Sequence, residues 1–275
     1  MKLPFQVCIL ASLILILTPF FADMPALGLD SSWRFGINQA AAQGLIFGRQ
    51  VVFSYSPYAS IFTRSYHPGT DSLMIWGALY LSFSFWLAVY RLTEDRTQRR
   101  ITAVAMVLGL SVASPDSRFL FYPLLAGLFC IKPTESSRVI HLAKMPSWVW
   151  VSVLFFPFGL LSLIKGSMLF FGIAVVAVST GFLWVNRRFY DAVAVMASPL
   201  VGISFFWLVA GQSMVDLPHF FYSNVLIAQG YSEAMGIESQ APEARPETAT
   251  VSTSSNSQRT RRNVRRFRAG LGAAS

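Results

Sequence analysis

The chain has 275 residues, of which 54% are hydrophobic and only 13% are charged. A water-soluble domain usually carries about 25% charged residues, and 24 phenylalanines with 7 tryptophans are too many to hide from water in a chain of this length. This composition excludes an ordinary soluble enzyme, and part of the net charge of +9 comes from an Arg-rich C-terminal tail. An Arg cluster can bind nucleic acid or anionic lipid, but we interpret this one as a solvated tail and predict no nucleic-acid partner.

Seven apolar runs predict membrane-spanning helices and therefore an all-α, polytopic transmembrane bundle in a lipid bilayer. They cover residues 5–21, 72–90, 101–114, 118–131, 148–164, 167–185 and 190–210. The first run follows Lys2 and has the length of a signal peptide, but no small-x-small cleavage site follows it, so we expect an uncleaved anchor.

The third and fourth runs are short, and a polar turn that contains Pro115, Asp116 and Arg118 separates them. Proline cannot donate a backbone hydrogen bond, and the two charged side chains need water or each other. We predict two short helices joined by a tight hairpin, and one buried broken helix is the alternative.

The distribution of Lys and Arg predicts the orientation, because cytoplasmic loops are enriched in both residues. With the N-terminus in the cytoplasm, the cytoplasmic segments hold Lys2, Arg91, Arg96, Arg99, Arg100, Lys132, Arg138, Lys144, Arg187 and Arg188. The opposite side holds Arg34, Arg49, Arg64, Arg118 and Lys165. The sequence thus predicts a multi-pass protein of a bacterial cytoplasmic (inner) membrane, with a long first loop, residues 22–71, on the extracytoplasmic side.

The domain organisation follows from the same pattern. Residues 1–211 form the predicted transmembrane bundle, and residues 212–239 form an extracytoplasmic polar segment that can pack against the first loop. Residues 240–275 form a tail with many arginines and no apolar period, which predicts disorder. Seven spans from a cytoplasmic N-terminus place this basic tail outside, where basic clusters are disfavoured. An interrupted reading frame in a longer gene is one hypothesis that explains the conflict.

The first loop is the longest polar stretch between two apolar runs, and it contains a predicted amphipathic helix. Ser31 or Ser32 can cap a helix that begins near Trp33 and stops near Gly44. Its apolar residues, Trp33, Ile37, Ala41 and Leu45, recur at helical spacing. This pattern is typical of a helix that lies on the membrane surface.

Asp30 is the candidate catalytic residue, since it follows the first span beside the headgroup layer. A carboxylate there can accept a proton from a sugar hydroxyl or bind a divalent metal that bridges a lipid phosphate. The alternative is that Asp30 only caps the helix or pairs with Arg34. Arg118 and Lys165, in the second and third extracytoplasmic loops, are suited to phosphate; Lys165 can also be a turn residue that reaches toward the interface.

The chain has no Walker loop, no dinucleotide-binding glycine motif and no serine-hydrolase elbow. His67, His141 and His219 are far apart in sequence, so no histidine-based metal site is predicted. Asp191 begins the seventh span beside Arg187 and Arg188, where an ion-pair or helix-start role is expected.

The arrangement resembles the glycosyltransferase-C superfamily, in which an Asp-bearing loop directly follows the first of many short spans. The residues similar to uncharacterised bacterial membrane proteins near that superfamily are Leu29-Asp30-Ser31-Ser32-Trp33, Gln43-Gly44, Phe47-Gly48-Arg49, Phe53 and Pro57-Tyr58, within residues 1 to about 238. The resemblance implies transfer of a sugar from a polyprenyl-phosphate donor at the extracytoplasmic face. It makes Asp30 the general base or a metal ligand, with Arg34, Tyr58, Arg118 and Lys165 as candidate substrate-binding residues.

Two features depart from that superfamily. No second acidic residue matches cleanly, although Asp71 or Asp116 can serve, and members often have nine to thirteen spans. Two other functions therefore stay open: a non-enzymatic transporter or lipid-carrier translocator subunit, and an inactive truncated fragment.

Overall fold

The computed structural model describes residues 3–93, 96–131 and 145–240, with no account of the side chains of Leu3, Arg96 and residues 231–240. Within these ranges the chain is built of α-helices and a short 3-10 helix at Met214–Asp216, with no β-strand. The α-helices are α1 (Leu3–Leu17), α2 (Leu29–Ala42), α3 (Ala59–Thr63), α4 (Asp71–Leu92), α5 (Arg96–Val112), α6 (Pro115–Ile131), α7 (Ser147–Phe155), α8 (Pro157–Ser162), α9 (Gly166–Val185), α10 (Phe189–Val209) and α11 (Leu217–Gln240).

The all-α prediction is confirmed for the described residues. The chain forms two units, residues 1–229 and 230–275, and residues 230–240, the end of α11, are the described part of the second. The predicted disordered tail lies, from residue 241 onward, outside the described residues.

Among the described residues, three helices, α4, α9 and α10, are long and apolar enough to cross a bilayer by length and composition. Two shorter apolar stretches are Pro4–Leu17, within α1, and Ser147–Ser162, which spans α7 and α8. The remaining two predicted spans correspond to α5 and α6, each of 17 residues. The membrane class is therefore supported by these helices, while the full number of seven crossings stays a prediction.

The helices pack around α4 and α10. Helix α1 packs against α4 and α5, α6 packs against α4 and α9, and α10 packs against α7, α8 and α9. The interior contains fully buried apolar side chains such as Leu13, Phe85 and Trp207. Large apolar side chains also point outward, among them Trp76 and Val178, which are 71% and 74% exposed. An apolar outer surface of this kind suits lipid as the surrounding solvent.

Helices α8 and α10 approach each other closely at two glycines. A Cβ atom added to Gly159 would lie 2.2 Å from the backbone of Gly202 and Ile203, and one added to Gly202 would lie 2.4 Å from the carbonyl oxygen of Phe156. Membrane helices often meet at such small residues, because the backbones can then make van der Waals contact.

The prediction of two separate helices around Pro115 is confirmed, since α5 ends at Val112 and α6 begins at Pro115. Proline fits the first helical position, where its missing N–H would have no partner. Both helices pack against α4, and in addition α5 lies beside α1 and α6 beside α9.

The loops predicted to lie on one side of the membrane contact one another, and we call this region the loop end. Tyr55 pairs through its backbone with Lys165, and the Lys165 ammonium lies 2.6 Å from a carboxylate oxygen of Asp116. The side-chain amide of Gln212 bonds the backbone of Phe47. Four segments that are far apart in sequence therefore meet at the loop end.

The predicted ion pair of Asp191 is confirmed at the other end of α10. Its carboxylate lies 2.7 Å from Nε of Arg188 and accepts a 2.7 Å hydrogen bond from the Ser147 hydroxyl. Arg188 also donates to the carbonyl oxygen of Cys130. These contacts connect the starts of α7 and α10 with the end of α6.

Candidate functional site

The first loop is folded, and its two ends are joined by backbone hydrogen bonds. The backbone N–H of Asp23 donates to the carbonyl oxygen of Arg64, and that of Tyr66 donates to the carbonyl oxygen of Asp23. Arg64 ends α3 with a φ of 54°, a left-handed conformation that is uncommon for a side chain other than glycine or asparagine. These contacts join the two ends of the loop and hold α2 and α3 between them.

Helix α2 begins earlier than predicted, at Leu29, and its N-cap is Gly28 without a side-chain cap. The prediction that Ser31 or Ser32 caps it is wrong, because the Ser32 hydroxyl lies inside the first turn and donates to the carbonyl oxygen of Gly28. Gly28 has a φ of 132°, which favours glycine. The predicted stop near Gly44 is confirmed, since α2 ends at Ala42.

The predicted helical periodicity of α2 is present, but its buried face packs against the protein. Ile37 belongs to the hydrophobic core, and the buried amide of Asn38 donates a 3.1 Å hydrogen bond to the carbonyl oxygen of Ser65. The part of the apolar stripe at Ile37 therefore does not face a membrane surface.

Lys165 lies at the centre of the loop end, between α8 and α9. Its ammonium pairs with Asp116 and lies 4.7 Å and 5.4 Å from the ring centroids of Phe62 and Tyr55. Aromatic rings attract a cation through the negative charge on their faces. The Lys165 side chain is 19% exposed and that of Asp116 is 49% exposed, so the pair remains accessible from one side.

Tyr55 connects Lys165 with α2. Its ring stacks on Trp33, with centroids 4.8 Å apart and planes 26° apart. Burial raises the pKa of the Tyr55 hydroxyl, and the positive charge of Lys165 acts in the opposite direction. Tyr55 therefore stays a neutral hydroxyl group near neutral pH.

Asp30 lies at the far side of the same stack. The indole N–H of Trp33 donates a 3.2 Å hydrogen bond to its carboxylate, and Asp30 itself is exposed. The Arg34 guanidinium lies 5.7 Å from the Trp33 ring. Within the described part of the chain, Nε of Arg34 is shielded from solvent and has no hydrogen-bond partner.

Arg118 lies in the first turn of α6, where its Nε donates to the carbonyl oxygen of Ala113. Burial lowers the pKa of the nearby Arg64 guanidinium, and the positive charge of Arg118 acts in the same direction. Phe62 and Phe119 are also in contact, with ring centroids 6.0 Å apart. Four of the five predicted site residues, Asp30, Arg34, Arg118 and Lys165, thus belong to the loop end around Tyr55 and Phe62.

Tyr58 has a different environment. It is 2% exposed, and its hydroxyl donates a 2.9 Å hydrogen bond to the backbone carbonyl oxygen of Phe206 in α10. This hydroxyl is therefore used to attach the first loop to the bundle, and we leave Tyr58 out of the site proposed below.

The Tyr58→Phe variant should be about 1 kcal/mol less stable at neutral pH, because it lacks this hydrogen bond. Burial raises the pKa of Tyr58 above its ordinary value of 10.0. Above pH 10 the unfolded chain loses the phenolic proton while the folded chain keeps it, so the native protein should lose about 1.4 kcal/mol of stability per pH unit from this group. Denaturant unfolding of both proteins at pH 7 to 11 should show the difference shrinking above pH 10. A difference that stays constant would contradict the burial of this hydroxyl.

A second set of contacts joins the first loop to the start of α11. Nε of Arg49 lies 3.0 Å from an Asp216 carboxylate oxygen, and the guanidinium also reaches the His219 ring. A Cβ atom on Gly48 would lie 2.5 Å from the Phe220 backbone. The prediction that the segment after residue 211 can pack against the first loop is confirmed.

Sequence reasoning missed the central roles of Trp33, Tyr55 and Phe62. Tyrosines and tryptophans are common at membrane interfaces, and no local spacing indicates that Tyr55 pairs with a lysine 110 residues later. The sequence predicted water or Arg118 as the partner of Asp116, whereas Asp116 pairs with Lys165 and Arg118 donates to the carbonyl oxygen of Ala113.

Among the described residues, no three His, Cys, Asp or Glu side chains lie close enough to hold a metal ion. A divalent cation held by Asp30 and a substrate phosphate stays a prediction. The comparisons of this chain with models of protein families, with curated proteins and with solved structures found no match.

Proposed function

We propose that the chain is an integral membrane protein of the glycosyltransferase-C type, which transfers a sugar from a polyprenyl-phosphate donor at the loop end. The observation that carries the proposal is the meeting of two carboxylates and two cations around one aromatic stack. Asp30 bonds Trp33, Arg34 lies over the Trp33 ring, and Lys165 lies over Tyr55 while it pairs with Asp116. The apolar helices below this cluster suit the polyprenyl chain of such a donor, whose phosphate would lie at the level of the loops.

The cations supply the charge that a phosphate leaving group needs. Lys165 presents a compact ammonium, and Arg34 presents a planar guanidinium beside Trp33. Arg118, close to Arg64, adds positive charge to the loop end. Negative charge grows on the phosphate as the bond to the sugar breaks, so fixed positive charges stabilise the transition state.

Asp30 is the proposed general base. The acceptor hydroxyl transfers its proton to the Asp30 carboxylate as its oxygen forms a bond to the anomeric carbon of the sugar. The bond between that carbon and the phosphate oxygen breaks, and its electron pair leaves with polyprenyl phosphate. The indole N–H of Trp33 holds the carboxylate in place, and Lys165 pairs with Asp116.

This function predicts donor cleavage by the purified protein in liposomes. Polyprenyl phosphate carrying a radiolabelled hexose is supplied with a mixture of hydroxyl acceptors, and the transfer of the label from the lipid to the acceptors is measured by chromatography. The expected result is cleavage above that of empty liposomes, and its loss with Lys165→Met. Binding of the donor by the folded protein without any cleavage would contradict the proposed enzymatic function and favour a lipid-carrier translocator.

A further inference from the structure

Three aromatic side chains at the loop end, Trp33, Phe53 and Tyr55, contact one another, and we call them the aromatic shelf. Trp33 stacks on Tyr55 at 4.8 Å, and Phe53 lies 5.8 Å from each of the other two ring centroids. The rings come from α2 and from the loop that follows it, so a helix and a loop must be positioned together to form this surface.

The aromatic shelf is only partly covered by the protein. Phe53 is 40% exposed, and Trp33 and Tyr55 are half-buried. The loops around it contain many polar groups that already satisfy one another, such as the paired backbones of Asp23 and Tyr66. Aromatic area that stays open among such loops is available to a ligand with an apolar face.

Polar groups flank the shelf at its edges. The Asp30 carboxylate bonds the Trp33 indole, Arg34 lies over Trp33, and Lys165 lies over Tyr55. A pyranose ring has the matching chemistry, because its C–H groups form an apolar face while its hydroxyls point outward from the rim. The C–H groups carry slight positive charge and are attracted to the negative face of an aromatic ring. A bare phosphate would use the cations but not the rings, and an acyl chain would use the rings but not the charged edges.

We propose that the aromatic shelf binds the pyranose ring of a lipid-linked sugar phosphate, with the ring stacked on Phe53 and Trp33 and its hydroxyls directed to Asp30. The inference rests on the proposed function, because it assigns the part of the same site that selects the sugar. It makes Phe53 and Trp33 residues that determine the preference for sugar-bearing lipid over bare lipid.

The test measures binding separately from turnover. The full chain in lipid nanodiscs is titrated with decaprenyl phosphate that carries one hexose and with bare decaprenyl phosphate. We expect tighter binding of the sugar-bearing lipid. Phe53→Ala should weaken that binding about five- to tenfold, as expected for loss of one stacking contact, and should leave the binding of the bare lipid unchanged.

Two further variants separate stacking from other roles. Phe21→Ala removes a ring that is 97% exposed outside the shelf, so it controls for aromatic residues that merely contact lipid headgroups, and it should bind both lipids as the native protein does. Trp33→Phe keeps a ring but removes the indole N–H that holds Asp30, so it should retain most of the sugar binding and slow turnover. Lys165→Met should weaken the binding of both lipids to a similar extent.

Equal affinity of the native protein for the two lipids would overturn the inference. So would a Phe53→Ala variant that binds the sugar-bearing lipid as tightly as Phe21→Ala does. The proposed function fails independently of this result. Shelf-dependent binding without cleavage would support the inference and refute the enzyme, whereas cleavage that is unaffected by Phe53→Ala would support the enzyme and refute the sugar subsite.

Discussion

The Gly159→Ala substitution is expected to lower the unfolding free energy by about 3 kcal/mol, the upper part of the range for overpacking in a dense interior. The added Cβ atom would lie 2.2 Å from the backbone of Gly202 and Ile203. Backbone atoms cannot move aside as the end of a flexible side chain can, so α8 and α10 would have to separate. For a domain of this size, such a loss corresponds to a drop in Tm of about 6–12 °C.

The measurement is thermal unfolding of the detergent-solubilised protein, followed by circular dichroism. Gly181→Ala in α9 is the matched control, because a Cβ there meets no atom within 4 Å, and alanine favours a helix over glycine by about 1 kcal/mol. Equal Tm values for the two variants would refute the close approach of α8 and α10. Gly202→Ala should resemble Gly159→Ala, and the two together should cost less than the sum of their separate effects, since both disrupt the same contact.

The Asp30→Asn substitution is expected to reduce donor cleavage about 100- to 10,000-fold, which is the usual contribution of a general base. Asparagine has nearly the same shape and can still accept the hydrogen bond from the Trp33 indole, but it cannot take up a proton. Binding of the sugar-bearing lipid should change little, so the loss should appear in kcat rather than in KM.

Asp23→Asn is the control for this experiment, because Asp23 is also an exposed carboxylate of the first loop and is held there through its backbone. It should keep its activity. If Asp30→Asn is active while Asp116→Asn is not, the base is the carboxylate that pairs with Lys165, and the role given to Asp30 is refuted.

Hydrophobic patterning predicted the helices well, because each one depends on its own residues. The run at 72–90 became Asp71–Leu92, and the run at 167–185 became Gly166–Val185. The N-cap of α2 was predicted less well. It is Gly28, which has a φ of 132°, and the Ser32 hydroxyl donates a hydrogen bond to the carbonyl oxygen of Gly28. Capping preferences state which side chains can cap a helix, but they do not determine the residue at which the helix begins.

The candidate site was predicted only in part, for a physical reason. Charge placement predicted which loops share one end, and this brought Asp30, Arg118 and Lys165 to the same region. The contacts between them depend on Tyr55 and Phe62, and these meet Lys165 only when the helices pack. Tyr58 was predicted as a site residue but does not belong to the site, because it points into the bundle toward Phe206.

The attachment of the first loop to Gln212 has a consequence for how the protein is made. The Gln212 amide accepts from the N–H of Phe47 and donates to the carbonyl oxygen of Leu45, and the first of these bonds joins residues 165 positions apart. Contacts of such long range form late, because a long stretch of chain must first be ordered. During synthesis the first loop is complete well before α10 and Gln212 are made. The nascent loop therefore lacks its hydrogen bonds to Gln212 during this time. Chains that stop before Gln212 should therefore present this loop to proteases, even where their early helices have already inserted.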